Sequence, residues 1–561
     1  MMLMPSVVMV AVVAVKRGVM CICCRVAFLK ECYEGMSRCP GAFVPRSLLC
    51  LMVVLPGPLS IIAHAQAGDM SVRWDVSDKQ GPDLSGRLRG QLQLADARAV
   101  DEPTSPTKAT AASSETSSLD VPPFSVSWER RPERSYFIPG VEVLSYLFLL
   151  NQYDRHFTDP RDIYRTNFST IRNHVTDGKW VIDNDQFSVN QFLHPYSGTV
   201  YYGLARSAGL NFWESLGYAA VGSTLWELGG EKTNPSINDQ IATIFGGTFL
   251  GEPLYRMANL LLESDDEGKP GFWRELGAAV ISPPTGFNRL VFGNRFDGLY
   301  PSHSPATFMR LQVGGTLTSS SHNVSSTVKE NGAVGDFTFT YGLPGKPGYT
   351  YARPFDYFDF HVTAVTANAL ESLNTRGLLI GAPYAAGDAT RGVWGLYGTY
   401  DYISPQVFRV SNTALSLGTT WQNWLSETIA LQGTALGGAG YGAAGSITRT
   451  GDRDYHYGLT PQALISLRLI LGDRAMLDVT GREYYVTGLL SPEQDGRENI
   501  LRGDASFTLR VFGRHGVALR YVVSHRDASY PNIEYRNQTV GTVSLMYVLL
   551  GGSGFGAVEW R

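Results

Sequence analysis

Chemistry-bearing side chains gather in one stretch of this 561-residue chain: His194, Glu214, Glu227, Glu231, Asn238, Asp239 and Glu252, with Arg206 and Arg256 among them. Histidine titrates nearest neutrality, and carboxylates held close together raise one another's pKa. His194 as a base with Glu227, Glu231 or Asp239 as partners could therefore supply acid/base chemistry. Glu227 and Glu231 stand four apart, which would stack them on one face of a continuous helix, although Gly229-Gly230 is expected to end that helix between them. Asn234-Pro235-Ser236 then opens a new helix, with Asn234 or Ser236 as cap, and Asp239, Thr243, Gly246 or Gly247 and Leu250 follow at helical spacing.

Each of these residues also has a plainer reading. His194 before Pro195 reads as a hydrogen-bonded histidine fixing a loop, and Glu214, Glu227, Glu231, Asp239 and Glu252 as partners of Arg206 and Arg256 in a buried network. The network is the favoured reading. Phe212, Trp213, Leu225, Trp226, Ile241 and Phe245 leave little solvent-facing surface, so His194, Arg206, Glu227, Glu231, Asp239 and Arg256 are expected on inward faces as one polar cluster, with Asn238 beside it. Gly246-Gly247-x-x-x-Gly251 suits close helix packing, since it lacks the Lys and Ser/Thr of a phosphate loop. The chain has no G-x-S-x-G, H-E-x-x-H or dinucleotide fingerprint. His194 and the carboxylates have no diagnostic metal spacing, so neither a metal nor a cofactor is expected.

The elements that must position these residues differ along the chain. All six cysteines lie in the first 50 residues, so no disulfide framework, zinc–cysteine site or cysteine nucleophile exists downstream. Arg38 and Arg46, the apolar run Leu48 to Ile62, and the A-x-A sites at Ala63-His64-Ala65 and Ala65-Gln66-Ala67 read as a signal peptide starting at Met36, with residues 1–35 an upstream extension. Without residues 1–67 the chain carries 41 Lys+Arg against 49 Asp+Glu, a net charge of -8, and nothing suggests nucleic-acid binding. Residues 68–135 lack sustained periodicity, and nine of the twenty residues from Asp101 to Asp120 are Ser or Thr, as in a disordered linker. Residues 136–300 read as helical, with apolar stretches too short or too interrupted to be transmembrane helices.

In residues 301–561 the hydrophobic period becomes two. Val517, Leu519, Tyr521 and Val523 alternate with Ala518, Arg520 and Ser524, and Phe507, Leu509 and Val511 with Ser506, Thr508 and Arg510. Gly513-Arg514-His515-Gly516 joins the two runs as a hairpin, and Gly472-Asp473-Arg474 joins another. About twelve such strands are expected, each about ten residues long, in an all-β membrane barrel whose lipid face includes Leu509, Leu519 and Leu545. Tyr397, Tyr400, Tyr402, Tyr484, Tyr485 and Tyr521 would form its interfacial girdles. Leu519→Arg should then harm assembly more than Arg520→Ala.

HPYSG at His194 to Gly198, ARSAGLNFWES at Ala205 to Ser215, STLWE at Ser223 to Glu227, and PSINDQIAT through GGTFLGE at Pro235 to Glu252 resemble the bacterial domain-of-unknown-function family 3943. The resemblance covers roughly residues 130–270. It implies a helical segment paired with an outer-membrane region, and no activity. Two function classes follow. In the first, an outer-membrane barrel has a helical plug or periplasmic domain and binds or passes a small or lipidic ligand, its partners being outer-membrane lipid and the barrel assembly machinery. In the second, an outer-membrane hydrolase or lipid-modifying enzyme uses His194 with Glu227, Glu231 or Asp239. The first is favoured.

Overall fold

Period-two alternation with a glycine-rich turn every fifteen or so residues leaves a chain one economical course, which is to pair each strand with the next. The computed structural model describes residues 134–263, 270–322, 331–405, 407–445, 451–490, 496–531 and 533–560, with four short strands between Val8 and Val54 that pair two by two. The signal peptide with its cleavage sites, and the linker as far as residue 133, otherwise lie outside the described residues.

Twelve antiparallel strands close a barrel: β1 (Thr307–His322), β2 (Asn331–Tyr341), β3 (Phe358–Val365), β4 (Asn368–Ala386), β5 (Thr390–Ile403), β6 (Arg409–Trp424), β7 (Ile429–Gly445), β8 (Tyr455–Leu471), β9 (Ala475–Val486), β10 (Arg497–Phe512), β11 (His515–Tyr530) and β12 (Ile533–Leu550). Closure is made by β12 on β1, with Val543 opposite Leu317 and Tyr547 opposite Val313. Most strands are longer than the expected ten residues, reaching 19 in β4, whereas β3 has 8. Gly472 and Gly513 take positive φ in the tight turns at one end, as hairpin geometry requires.

The two faces of the wall separate by charge. Inward side chains pair across the lumen between strands that are not neighbours: Arg310 with Asp478 at 2.5 Å, Arg520 with Asp336 at 2.6 Å, Arg502 with Glu371 at 2.7 Å and Arg482 with Asp401 at 3.3 Å. Such pairs are charge-assisted. At the tight-turn end the inward residues become apolar, with Phe308, Ile470, Met476 and Val548 packing against Phe555 and Val558 of the C-terminal tail. Gln422 clamps that tail by donating to the Val558 carbonyl at 2.8 Å and accepting from its amide at 3.0 Å, and Gln432 donates to the Gly556 carbonyl at 2.7 Å. Outward residues Leu311, Leu417, Ile465, Leu509, Leu519 and Leu545 are exposed, as the alternation predicted.

The helical layer comprises α1 (Phe137–Phe157), α2 (Phe168–Thr176), α3 (His194–Ser207), α4 (Phe212–Gly229), α5 (Ile237–Ile241), α6 (Gly247–Leu262), α7 (Phe272–Ile281) and α8 (Pro283–Phe296). A π turn at Val189–Leu193 leads into α3 and another, at Ala242–Gly246, joins α5 to α6. An Asn211/Glu214 capping box starts α4, and Ser236 caps α5. Where α3 and α6 cross, Gly198 and Gly247 meet backbone to backbone; a Cβ on Gly198 would stand 1.8 Å from the Thr243 carbonyl oxygen. No described helix is long and apolar enough to cross a membrane.

The described helices make contacts with outward-facing side chains of β2 to β8: Asn190 donates to the Tyr455 and Tyr457 hydroxyls, the Thr375 hydroxyl donates to the Phe249 carbonyl at 2.6 Å, the Tyr400 hydroxyl donates to the Gln191 carbonyl at 2.5 Å, and Arg256 lies over the Tyr341 ring. Phe249 seats on Gly398, where a side chain would collide with its ring. This corrects the girdle expectation. Tyr400 and Tyr402 face outward but lie beneath the helices, and Tyr397 and Tyr484 are buried inside the barrel, so only Tyr485 and Tyr521 of the six stand exposed on the outer wall. Period two fixes which residues share a face, and not what covers that face.

Candidate functional site

The π turn before α3 and the Ser236 cap of α5 bring three distant residues to one point. His194 begins α3, Glu227 ends α4, and Asp239 lies in the first turn of α5; each offers a ligand atom within 4.8 Å of the other two. The His194 Nε2 stands 3.7 Å from Asp239 Oδ2, and its Nδ1 lies 3.3 Å from the Thr243 hydroxyl. The Ser236 amide donates to Glu227 at 2.8 Å, tying the end of α4 to the start of α5. Asn238 donates to Asp183, Asp239 and the Tyr457 hydroxyl, and Asn190 also donates to Asp183, so the barrel wall holds the back of the site.

A cavity of about 140 Å³ opens in front of this point. His194, Ser223, Glu231, Asp154 and Asp185 supply its polar lining, and Leu150, Ile163, Leu193, Tyr196, Tyr201 and Trp226 its apolar lining. Glu231 accepts from the Trp226 indole at 2.9 Å and from Thr233 at 3.0 Å, and Arg453, paired with Asp185 at 2.7 Å, brings a cation to the rim. Burial moves the acids. Desolvation, with Glu231 nearby, pushes Glu227 up to about 8; desolvation with Asp185 nearby pushes Glu231 up to about 7; and Asp239 is raised well above the usual carboxylate range by burial and by Asp183. His194 is lowered by burial to about 4 against the pull of Asp183, so it is neutral near pH 7.

The expected single cluster is in fact two. Arg206 and Arg256 grip Glu252 at 2.8 and 2.7 Å, the Tyr202 hydroxyl donates to it at 2.7 Å, and Arg256 reaches Asp356, in the loop between β2 and β3, at 2.9 Å. Despite its burial, the two guanidinium groups hold Glu252 down at about 2. Of the five acids expected to pair with these arginines only Glu252 does, because the Gly198/Gly247 crossing places it between α3 and α6 while α4 and α5 turn Glu227 and Asp239 towards His194. Glu214 belongs to neither group; it caps α4 and pairs with Arg134. Glu231 is brought to the cavity as expected, and Asn238 to the His194 group. Sequence reasoning missed Asp154, Asp183, Asp185 and Ser223, which are scattered in a chain otherwise poor in charge.

The fold and this site together define a closed antiparallel barrel carrying a helical layer on its outer wall, with a polar pocket inside that layer. Residues 179–284 match the family described as Domain of unknown function (DUF3943), the one the sequence resembles. No curated protein matches the chain in sequence. Among solved structures, the COG4313 outer membrane channel from Pseudomonas putida F1 aligns at 10% identity over 44% of this chain and 96% of that one, with a TM-score of 0.23. The outer membrane channel DcaP of Acinetobacter baumannii aligns at 5% identity over 44% and 96%, with a TM-score of 0.21. Pseudomonas aeruginosa OccK2 (OpdF), solved in complex with glucuronate, aligns at 12% identity over 44% and 98%, with a TM-score of 0.16. Likenesses this distant carry no argument, and the closed barrel stands on its own strand pairing.

Proposed function

We propose that this protein is an outer-membrane barrel that binds a small or lipidic ligand in the cavity of its helical layer, using the barrel as a wall. The carrying observation is the contrast between the two interiors: ion pairs and the C-terminal tail cross the lumen and leave there a cavity of about 110 Å³ among Arg502, Arg520 and Glu371, whereas the helical layer keeps one of about 140 Å³ with one apolar and one acidic side. Exposed Leu, Val, Ile and Phe on the uncovered wall support a bilayer setting, and so do Phe137, Val141, Leu144 and Phe148, which continue the apolar surface along α1. Insertion by the barrel assembly machinery and contact with outer-membrane lipid belong to the same proposal. An acidic lining favours a ligand bearing an amine or another donor group. The test is mass spectrometry of species that stay with the protein through detergent extraction, for the unaltered chain and for Ser223→Leu, which fills the cavity. Loss of a bound species in the variant is expected; equal occupancy in both, or no species in either, would refute the proposal.

A second reading is an enzyme acting on lipid, with His194 as general base oriented by Asp239. The 3.7 Å approach and a histidine kept neutral near pH 7 favour it. Lipid turnover by the unaltered protein that disappears in a folded His194→Gln variant would support this reading over simple binding.

A further inference from the structure

We infer that His194, Glu227 and Asp239 form a binding site for one divalent transition-metal ion of the zinc class, deep to the helical cavity. The inference rests on the reading of that cavity as the functional site and adds its cofactor. One imidazole nitrogen with two carboxylates is a donor set of borderline hardness, which suits Zn²⁺ or its first-row neighbours better than the all-oxygen cages of Ca²⁺ or Mg²⁺. The three ligand atoms already lie within 4.8 Å of one another. Zinc bonds of about 2.0–2.2 Å require roughly 3.5 Å between ligands, a contraction that side-chain adjustment can supply. The second shell is in place: the Thr243 hydroxyl meets His194 Nδ1, leaving Nε2 directed at Asp239, while Asn238 steadies Asp239 and the Ser236 amide steadies Glu227.

Two further observations point to a missing occupant. Among the described residues no Lys or Arg forms an ion pair with Glu227 or Asp239, although both are buried. Ser223, one turn before Glu227 on α4, is 2% exposed and lines the cavity, yet its hydroxyl has no hydrogen-bond partner; the carbonyl oxygen of Asn190, whose amide donates to Asp183 behind the site, has none either. Buried polar atoms are rarely left this way without an ion or a water between them. Three protein ligands leave a coordination position open, the arrangement of zinc sites that bind or activate a further molecule.

The experiment uses the full chain in detergent, stripped with chelator and titrated calorimetrically with Zn²⁺, and in parallel with Mg²⁺. One Zn²⁺ per chain is expected, bound at least about a hundredfold more weakly by Asp239→Asn and Glu227→Gln, and unchanged in Glu214→Gln, which lies outside the site. X-ray absorption at the zinc edge of the unaltered chain is expected to show a single imidazole in an otherwise oxygen shell, a readout that needs no variant to fold. Absence of stoichiometric zinc, affinity equal in Asp239→Asn and the unaltered chain, preference for Mg²⁺, or a shell with two imidazoles would overturn the site. If zinc fails while Ser223→Leu still expels a bound species, the metal falls and the cavity reading stands; if both fail, both fall.

Discussion

Glu252 is a fully buried carboxylate between two guanidinium groups, and removing one side of such an arrangement leaves charge without a partner. Glu252→Gln is expected to destabilise the helical layer by about 3–5 kcal/mol, read by chemical denaturation of the detergent-solubilised protein. The folded-state value lies near 2 against an ordinary 4.5, so this contribution is complete above about pH 4.5 and is lost as the pH falls towards 2. Asp154 behaves in the opposite sense. Burial raises it to about 7 from 3.8, so the stability its protonated form supplies is complete below the ordinary value and fades as the pH rises through 7. Asp154→Asn, which still accepts the Thr158 hydrogen bond, should raise the melting temperature at pH 8 and leave it nearly unchanged at pH 4.

The elements were legible in the sequence to different degrees. The hairpins around Gly472 and Gly513, the end of α4 at Gly229 and the Ser236 cap could be read directly, because turn glycines, capping hydroxyls and period two act locally. The separation of Arg206–Glu252–Arg256 from His194–Glu227–Asp239 could not, since it depends on the Gly198/Gly247 crossing angle, which no local pattern encodes. Nor could the docking face: Tyr400, Tyr402, Tyr455 and Tyr457 alternate just as lipid-facing aromatics do, and only the tertiary partner distinguishes the two. The same limit revises the expected contrast at positions 519 and 520. Leu519→Arg places a charge on the apolar outer face, at about 2–4 kcal/mol, while Arg520→Ala removes the guanidinium between Asp336 and Asp504 and leaves Asp336 with only His361 and Thr363. Comparable losses of folded barrel are expected, measured by heat-modifiable gel mobility.

On the scale of the whole molecule the lumen is crossed by ion pairs and stoppered at its tight-turn end by the C-terminal tail. Purified protein in planar bilayers is expected to pass little current, and the double substitution Gln422→Ala with Gln432→Ala, which removes two of the side chains holding the C-terminal tail, should raise conductance; large current from the unaltered chain would mean that the ion pairs across the lumen part readily. The seating of the helices on the outside of the wall has a consequence for biogenesis. The layer is made before the strands it must dock on, because β3 to β8 follow it in the chain. Until those strands are zipped, Phe192, Phe212 and Phe249 have no wall to rest on, and the earliest-synthesised helices are among the last parts of the molecule to find their place. The helical segment therefore needs an escort during that interval, and expressed without the barrel it should sediment as aggregate unless a holdase or detergent accompanies it.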